Sequence, residues 1–345
     1  GTVGGTPYSA FVGDFYFDNT PQDIDLLEHI SHVAASAHAP FLSAIAPGML
    51  SMNSFSELPY PRDLAKLFET TDYARWRSFR QTDDSRYVGL TLPQSLGRIP
   101  YGMKTVPAET FNFEEHISED NSGKDYLWVN TAFELACRIV DAFEEYGWCA
   151  AIRGVEGGGL VKSLPAYNYT SHTGERLLQC PTEVAISDRR EKELSDLGFI
   201  PLIYCKGTDF AAFFAVQSVN KPRQYNTDQA NANARLSSQL QYILATSRFA
   251  HYLKVIVRDK VGSFMSKIEC QTYLQNWIMQ YVVASDSAGQ DTKARYPLRE
   301  ASVEVVEIPG SPGSYRAIAW IKPHFQLEGL SMSLRLVADL PSSVS

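Results

Sequence analysis

The sequence lacks paired cysteines. Its five cysteines, at positions 137, 149, 180, 205 and 270, are odd in number and form no C-x-x-C pair. This pattern excludes a disulfide framework and a cysteine-based structural zinc site. Several lie in apolar surroundings such as FELACRIV, so we predict free, mostly buried thiols in a reducing compartment, the cytoplasm.

Long apolar runs and an excess of positive charge are also lacking. No apolar run reaches the ~18 residues that a membrane-spanning helix needs. The formal net charge is −8, whereas nucleic-acid binding by counterion release needs concentrated positive charge. We therefore expect no membrane insertion and no nucleic-acid partner. The first residues, GTVGGTPYSAFVGDF, contain no initiator Met and no signal-peptide layout, and we expect them to be an internal point of a longer protein.

The chain contains enough apolar and aromatic residues to form a large hydrophobic core. It has 345 residues, of which 44% are apolar and 12% aromatic. That length suggests about two domains, and the composition is typical of a folded protein rather than a disordered one. The many tyrosines and phenylalanines suit both cores and protein interfaces.

The order of the predicted elements favours an α/β architecture. FVGDFYF (11–17) is predicted to be a strand, the following 18 residues carry apolar residues at helical spacing, and FLSAIA is predicted to be a second strand. A β-α-β start is typical of layered α/β folds. We also predict strands at WCAAIR and EVAIS, and a long surface loop over residues 100–124.

Two sequence patterns resemble helix N-termini with reciprocal capping. Thr131 with Glu134, and Ser266 with Glu269, have the spacing of a capping box. Between them, the helical pattern that starts near Asn226 exceeds 30 residues, so it predicts either a broken helix or a structural rod.

The C-terminal residues differ in kind from the rest. ASVEVVEI and YRAIAWIK predict a β-hairpin, and LSMSLRLV alternates apolar and polar residues as a strand with one buried face does. A strand-rich end with open edges can pair with another chain. The alternative is a sheet closed within this chain, and the pattern alone leaves both possible.

No catalytic or metal-binding constellation is found. His29 and His32 are three apart with His38 nearby, but no H-E-x-x-H pattern accompanies them, so we expect no metal. GVEGGGLVKSLP (154–165) fails the spacing of a phosphate-binding loop and predicts a tight turn. Ser171 and His172 are adjacent in sequence, which rarely makes a nucleophile and base. A hydrolase using this turn and this pair is retained only as an alternative, and no cofactor is expected.

One cluster of charged residues surrounds an aromatic pair in RWRSFRQTDDSR. The arginine guanidinium can bind a carboxylate through two hydrogen bonds, and two aspartates follow in a turn. In an acidic chain, we interpret this cluster as structural ion pairs rather than a phosphate site. Its members are Arg75, Arg77, Arg80, Asp83, Asp84 and Arg86.

Several long stretches resemble the large subunit of the type VI secretion contractile sheath. They are WRSFRQTDDSRYVGLTLPQSLGRIPYG, RGVEGGGLVKSLP, CPTEVAISDRREKELSDLGFIPL, CKGTDFAAFFAVQSVNKP, NANARLSSQLQYILATSRFAHYLKVIVRDKVGSFMS and PHFQLEGLSMSLRLVADLP. They occur in the family's order and cover nearly the whole chain, which makes the resemblance far more specific than any short motif.

The resemblance implies a structural protein of the bacterial cytoplasm and not an enzyme. Members of that family pair with a small sheath subunit, and the pairs polymerise helically, on a baseplate, around an inner tube that contraction expels. The family also has an N-terminal region that this chain lacks, which in some relatives is recognised by a recycling unfoldase ATPase. A single-component sheath of phage-tail type is the alternative within the same class.

The resemblance also implies two domains with different roles in the sheath. We expect an α/β sheath core over residues 1–225, of two layers, and an inner, inter-subunit domain over 226–345. Strands at 302–308, 315–322 and 331–337 are expected to interlace with neighbouring subunits. The predicted exchange residues are Val303, Val305, Ile308, Tyr315, Ile318, Trp320, Leu330, Met332, Leu334 and Leu336. Lys267 and Glu269 are the candidate tube-facing residues.

Overall fold

A parallel β-α-β unit begins the fold, as the sequence predicts. The computed structural model of the chain describes residues 5–102, 105–117, 123–170, 176–260, 266–285, 287–307, 315–324 and 334–339. In its first unit, two parallel strands flank a helix that is capped by Thr20, whose Oγ1 accepts the N–H of Asp23 at 3.1 Å. Pro21 occupies the first turn of this helix, where its missing N–H costs nothing.

The strands occur along the whole chain and are numbered in order. They are β1 (Phe11–Phe17), β2 (Phe41–Ile45), β3 (Val88–Leu92), β4 (Ser95–Leu96), β5 (Trp128–Val129), β6 (Leu160–Val161), β7 (Asn168–Thr170), β8 (Arg176–Leu178), β9 (Ile200–Tyr204), β10 (Ala211–Phe213), β11 (Leu298–Glu307), β12 (Tyr315–Pro323) and β13 (Leu334–Asp339).

The α-helices are numbered in the same way. They are α1 (Pro21–Ala37), α2 (Leu64–Leu67), α3 (Ala74–Arg80), α4 (Ala132–Tyr146), α5 (Asp188–Asp196), α6 (Asp228–Ser237), α7 (Leu240–Lys260), α8 (Lys267–Met279) and α9 (Gln290–Arg295). No described helix is long and apolar enough to cross a bilayer.

One sheet organises the first part of the fold. Its strand order is β1-β2-β3-β9-β10-β6. The first four of these strands run parallel, and β10 is antiparallel to both of its neighbours. β2 and β3 are buried over their whole length, which explains why FLSAI and VGLTL are continuous apolar runs rather than alternating patterns.

Helices cover both faces of this sheet. Phe41 and Leu42 are consecutive in β2 and lie in different hydrophobic clusters, one with Trp76 of α3 and the other with Leu135 of α4. The mixed α/β class is confirmed, but the core has three layers where two were expected. The reason is that strands with apolar residues on both faces need cover on both.

A second, smaller sheet forms the C-terminal part of the fold. Its order is β11-β12-β13, and it shares a hydrophobic core with α7 and α8. Phe249 of α7 is at the centre of that core and stacks on Trp148, with ring centroids 4.2 Å apart. Tyr281 and Trp277 meet the Phe249 ring edge-on at 5.8 and 6.1 Å, an arrangement that aromatic quadrupoles favour.

The longest helical pattern is broken, which was one of its two predicted outcomes. α6 ends at Ser237 and α7 begins at Leu240. Between them, the carbonyl of Ser238 accepts the N–H of Ser218 at 2.9 Å, and Gln239 forms a β-bridge with Gln217. The backbone between the helices therefore bonds to the segment after β10 instead of continuing the helix.

Two predicted strands and one predicted cap are wrong. Residues 148–153 and 183–187 are not in strands, although Ile152 and Val184 are buried; their apolar composition reflects burial, not pairing. The Thr131 hydroxyl donates to the carbonyl of Pro93 at 2.9 Å instead of capping α4. Asn130 takes its place, because its Oδ1 accepts the N–H of Ala132 at 2.9 Å.

We expect Phe249→Ala to lower the free energy of unfolding by about 3–5 kcal/mol, the usual result of emptying a large aromatic site in a core. Val33→Ala is the matched control; Val33 is 63% exposed, and its change should stay within about 0.5 kcal/mol. Denaturant unfolding followed by tryptophan fluorescence measures both. Equal losses in the two variants would contradict the central position of Phe249.

Candidate assembly interface

The tail strands form a hydrogen-bonded ladder with β12 at its centre. β11 pairs antiparallel with β12 from Leu298 opposite Pro323 to Glu307 opposite Tyr315. On the other side of β12, six residues pair antiparallel with β13, including Ala319 opposite Leu336. In the single chain, therefore, the third strand of the sheet comes from the same molecule.

The predicted exchange residues divide between the two faces of this sheet. Val303 and Val305 point into the core with α8, and Glu304, which lies between them on β11, is exposed. On β12, Ile318 is buried, while Tyr315 and Trp320 are half-buried. Leu334 and Leu336 are opposite Ile321 and Ala319 by backbone register. The remaining exchange residues lie outside the described residues: Ile308, Leu330 and Met332.

An ion pair joins two strands on the exposed face. Glu300 and Lys322 are opposite each other in the ladder, with Oε1 and Nζ 2.9 Å apart. The hydrogen bond from Lys322 lowers the pKa of the Glu300 carboxyl. Because Glu300 is well exposed, the pair fixes the register of β11 on β12 more than it adds stability.

The two candidate tube-facing residues lie in the first turn of α8. Both Lys267 and Glu269 are exposed. Glu269 also completes the predicted capping box, which is confirmed: its Oε2 accepts the N–H of Ser266 at 2.7 Å, and Ser266 Oγ accepts the N–H of Glu269 at 3.3 Å. The bond from the Ser266 N–H lowers the pKa of Glu269, so this carboxylate holds the start of α8.

The charged cluster of the RWRSFRQTDDSR segment is spread over several partners. Asp83 pairs with Arg86 at 3.5 Å, but Asp84 bonds to His32. Arg75 reaches Asp25 of α1 at 2.7 Å. The expectation of one Arg–Asp network is corrected, because three of the arginines point away from the turn that holds the aspartates.

Arg80 and Arg77 satisfy their guanidinium groups with backbone carbonyls. Arg80 is 6% exposed; its Nε donates to the carbonyl of Val219 at 2.8 Å and its Nη2 to that of Asp196 at 3.3 Å. Burial lowers the pKa of Arg80 to about 10. Arg77 donates to the carbonyls of Phe68 and Thr70 at 2.7 and 2.5 Å. These two arginines thus join chain segments that are distant in sequence or lie in separate elements.

A surface cleft of about 950 Å³ opens beside these arginines. Its walls come from α2, α3 and α5 and from the residues around Lys221. Arg190 is part of the lining and donates to the carbonyls of Leu58, Tyr60 and Arg62. Cationic side chains outnumber acidic ones in the lining, so the cleft is a positive region on a chain of net charge −8.

The histidines and the glycine turn have structural surroundings. His29 contacts the carbonyl of Asp25, whereas His38 is 3.3 Å from the Tyr87 hydroxyl. In the turn after Ile152, Gly154 and Gly159 bond through their N–H groups to backbone carbonyls. The described residues contain no cluster of His, Cys, Asp or Glu able to hold a metal, and Ser171 and His172 lie outside them.

Sequence reasoning did not single out two glutamines of α8 that bond to β11. The Gln275 side chain bonds to the backbone of Ala301 and Val303, and the Gln271 side chain bonds to that of Val305. Their spacing of four residues puts them on one helix face. That spacing is the only signal of these contacts in the sequence, and it does not reveal which strand lies beside the helix.

The sequence matches two profiles of the VipB family end to end. Residues 1–220 match the EvpB/VC_A0108 tail sheath N-terminal domain, and residues 229–340 match the EvpB/VC_A0108 tail sheath gpW/gp25-like domain. A similar curated protein is the type VI secretion system sheath protein TssC1 of Pseudomonas aeruginosa. The two are 51% identical over 344 residues, which cover 99% of this chain and 69% of that protein.

Two solved structures are similar at low identity. One is a chain of the anti-feeding prophage baseplate determined by cryo-EM, with a TM-score of 0.42 and 9% identity over 84% of this chain. The other is the crystal structure of a sheath tail protein from Desulfitobacterium hafniense, with a TM-score of 0.39 and 12% identity over 93% of this chain. This chain spans 56% and 60% of their respective lengths.

We expect Arg80→Met to lower the free energy of unfolding by about 1–3 kcal/mol for each buried carbonyl left without a donor. Methionine keeps the length of the side chain but cannot donate to Val219 or Asp196. Arg75→Met, which removes an exposed ion pair, should cost about 0–1 kcal/mol. Denaturant unfolding of both variants tests this, and a neutral Arg80→Met would contradict the role of the carbonyl bonds.

Stability should fall as the pH falls from about 6.5 towards 4. Burial, with smaller contributions from Lys254 and His251, lowers the pKa of His38 from 6.5 to about 4. Because the unfolded chain then binds a proton that the folded chain excludes, the stabilisation is complete above 6.5 and is lost below it. The melting temperature of His38→Asn should depend less on pH in this window. Asn is a suitable replacement because residue 38 has a φ of 51°. An unchanged pH profile would contradict the assignment.

Proposed function

The chain belongs to the VipB tail sheath family, and on that premise we propose that it is the large structural subunit of a contractile type VI secretion sheath. Two features support this proposal. The family profiles cover both parts of the chain, and the match to a type VI secretion sheath protein covers 99% of this chain. The chain would pair with a small sheath subunit in the bacterial cytoplasm and polymerise with further copies around an inner tube.

The feature that carries the assembly proposal is the backbone ladder between β12 and β13. It pairs Arg316–Ile321 with Leu334–Asp339, residue by residue. Main-chain hydrogen bonds do not depend on which molecule supplies the strand. The same six pairs can therefore form between subunits, with β13 of one copy in the place next to β12 of another, as in domain swapping.

Such an exchange would keep subunits connected during contraction. The ladder holds neighbours together through backbone bonds, while the large α/β cores move as rigid bodies. Side-chain contacts between cores can break and re-form during that movement. An extended sleeve that is metastable, with better-packed contacts after contraction, would supply the energy.

The division of the chain follows from the same proposal. We propose that residues 1–225 form the sheath core and 226–345 the inter-subunit domain nearest the tube. Lys267 and Glu269 at the start of α8 are its proposed tube contacts, and the first subunits of the polymer would attach to a baseplate. A recycling unfoldase ATPase is a further proposed partner of the sheath.

A single-component sheath is the alternative, and electron microscopy distinguishes it. Hollow striated tubules that form only when this chain is expressed with a small subunit support the two-component sheath. Tubules from this chain alone support a phage-tail type. Charge reversal at Lys267 that left tube binding unchanged would argue against the tube contact.

Deleting the residues after Pro323 should leave a soluble complex with the small subunit that does not polymerise. The truncation removes β13 and keeps the β11–β12 hairpin. Negative-stain electron microscopy and sedimentation of the co-expressed pair provide the measurement. Sheaths formed by the truncated chain would rule out strand exchange.

A point variant controls for the size of that deletion. Leu336→Pro should also block polymerisation, because proline has no N–H and interrupts a strand ladder. Leu336→Ala keeps the N–H opposite Ala319 and should still assemble. If the alanine variant failed equally, the side chain rather than the ladder would be responsible.

A further inference from the structure

The outer edge of β11, which faces away from β12, is occupied by α8. One side-chain amide serves two backbone groups there: Gln275 Oε1 accepts the N–H of Val303 at 2.7 Å, and Gln275 Nε2 donates to the carbonyl of Ala301 at 3.2 Å. In a parallel ladder, one residue of an added strand would take this same pair of groups.

The coverage continues in both directions along the edge. Towards the end of β11, Gln271 Oε1 accepts the N–H of Val305 at 3.3 Å. Towards its start, Leu298 donates to the carbonyl of Tyr281 at 3.2 Å and accepts the N–H of Val283 at 2.9 Å. Five outward backbone groups between Leu298 and Val305 thus bond to α8 or to the segment directly after it.

α8 is itself firmly held in this position. Leu274 and Ile278 are almost completely buried in the C-terminal core. Trp277 packs edge-on against Tyr281 with ring centroids 5.3 Å apart, and Ser266 caps the helix start. Freeing the β11 edge would therefore require exposing these side chains to water, which the hydrophobic effect opposes.

We infer that Gln271 and Gln275 close the β11 edge to strands of neighbouring subunits, so that a donated strand enters the sheet on the β12 side. The donor is a second copy of this chain, and the inference rests on the strand exchange proposed above. An unprotected edge strand can pair with any strand that it meets. Because the two glutamines occupy the edge of β11, a donated strand can join this sheet only beside β12.

Disulfide trapping between separately labelled subunits tests the direction. All subunits carry Cys137→Ser, which removes the exposed native cysteine. Sheaths are assembled from an equal mixture of Trp320→Cys and Arg335→Cys subunits, which are opposite in the β12–β13 register. A second set of mixtures pairs Glu304→Cys on β11 with Arg335→Cys, with Val337→Cys or with Asp339→Cys. Three positions along β13 are used so that a strand added to β11 in either direction or register is detected.

The expected result is a cross-linked dimer in the first mixture and none in the second. Dimers from Glu304→Cys would overturn the closed edge and leave strand exchange intact. Absence of dimers in both mixtures would overturn strand exchange, and this inference with it. Each disulfide joins two molecules by design, since no subunit carries both new cysteines.

Opening the edge in the same Glu304→Cys mixtures provides an independent test. The double change Gln271→Leu and Gln275→Leu removes the partners of the Ala301 carbonyl and of the Val303 and Val305 N–H groups, so dimers from the Glu304→Cys mixtures should appear where the unchanged glutamines give none. Gln280→Leu, the same change at an exposed position of the same segment, is the matched control and should produce none. Equal behaviour of the two variants would contradict edge closure by the glutamines.

Discussion

Backbone hydrogen bonding at the edges of the C-terminal sheet is the constraint on which the proposed assembly depends. Each strand in a sheet has N–H and C=O groups on two sides, and an edge strand leaves one side open. β12 uses both sides, β11 uses its second side for α8, and β13 pairs with β12 on one side. The hydrogen-bonding state of each edge decides where a neighbour can join.

The same principle of backbone satisfaction recurs in the large α/β core. Arg80 is buried with its guanidinium bonded to two carbonyls, and Asn220 bonds to the carbonyls of Arg80 and Thr82 at 3.2 and 2.8 Å. Gly198, with a φ of +87°, passes so close that an added Cβ would be 2.8 Å from Arg80 Nη2. These contacts join α3, α5 and the segment after β10 through buried backbone carbonyls.

The sequence predicted most elements whose pattern is local. The β-α-β start, the Ser266–Glu269 capping box and the β11–β12 hairpin each follow from periodicity or from a fixed spacing of residue types, whereas the long helical pattern left a broken helix and a structural rod both open. The strand predictions at 148–153 and 183–187 failed because apolar residues such as Ile152 are needed in any buried segment, paired or not. Thr131 failed as a cap because Pro93, 38 positions away in sequence, accepts its hydroxyl.

The amino-acid sequence by itself determined the α/β class, the family and the alternating strands of the tail, because these depend on composition, order and local period. Only the tertiary structure decided which partners the polar groups take. Arg75, Arg77 and Arg80 turn to α1 and to carbonyls rather than to Asp83 and Asp84, and Gln271 and Gln275 meet a strand that lies about 30 residues further along the chain. A hydrogen bond needs its two atoms within about 3 Å, and that proximity arises from how distant segments pack.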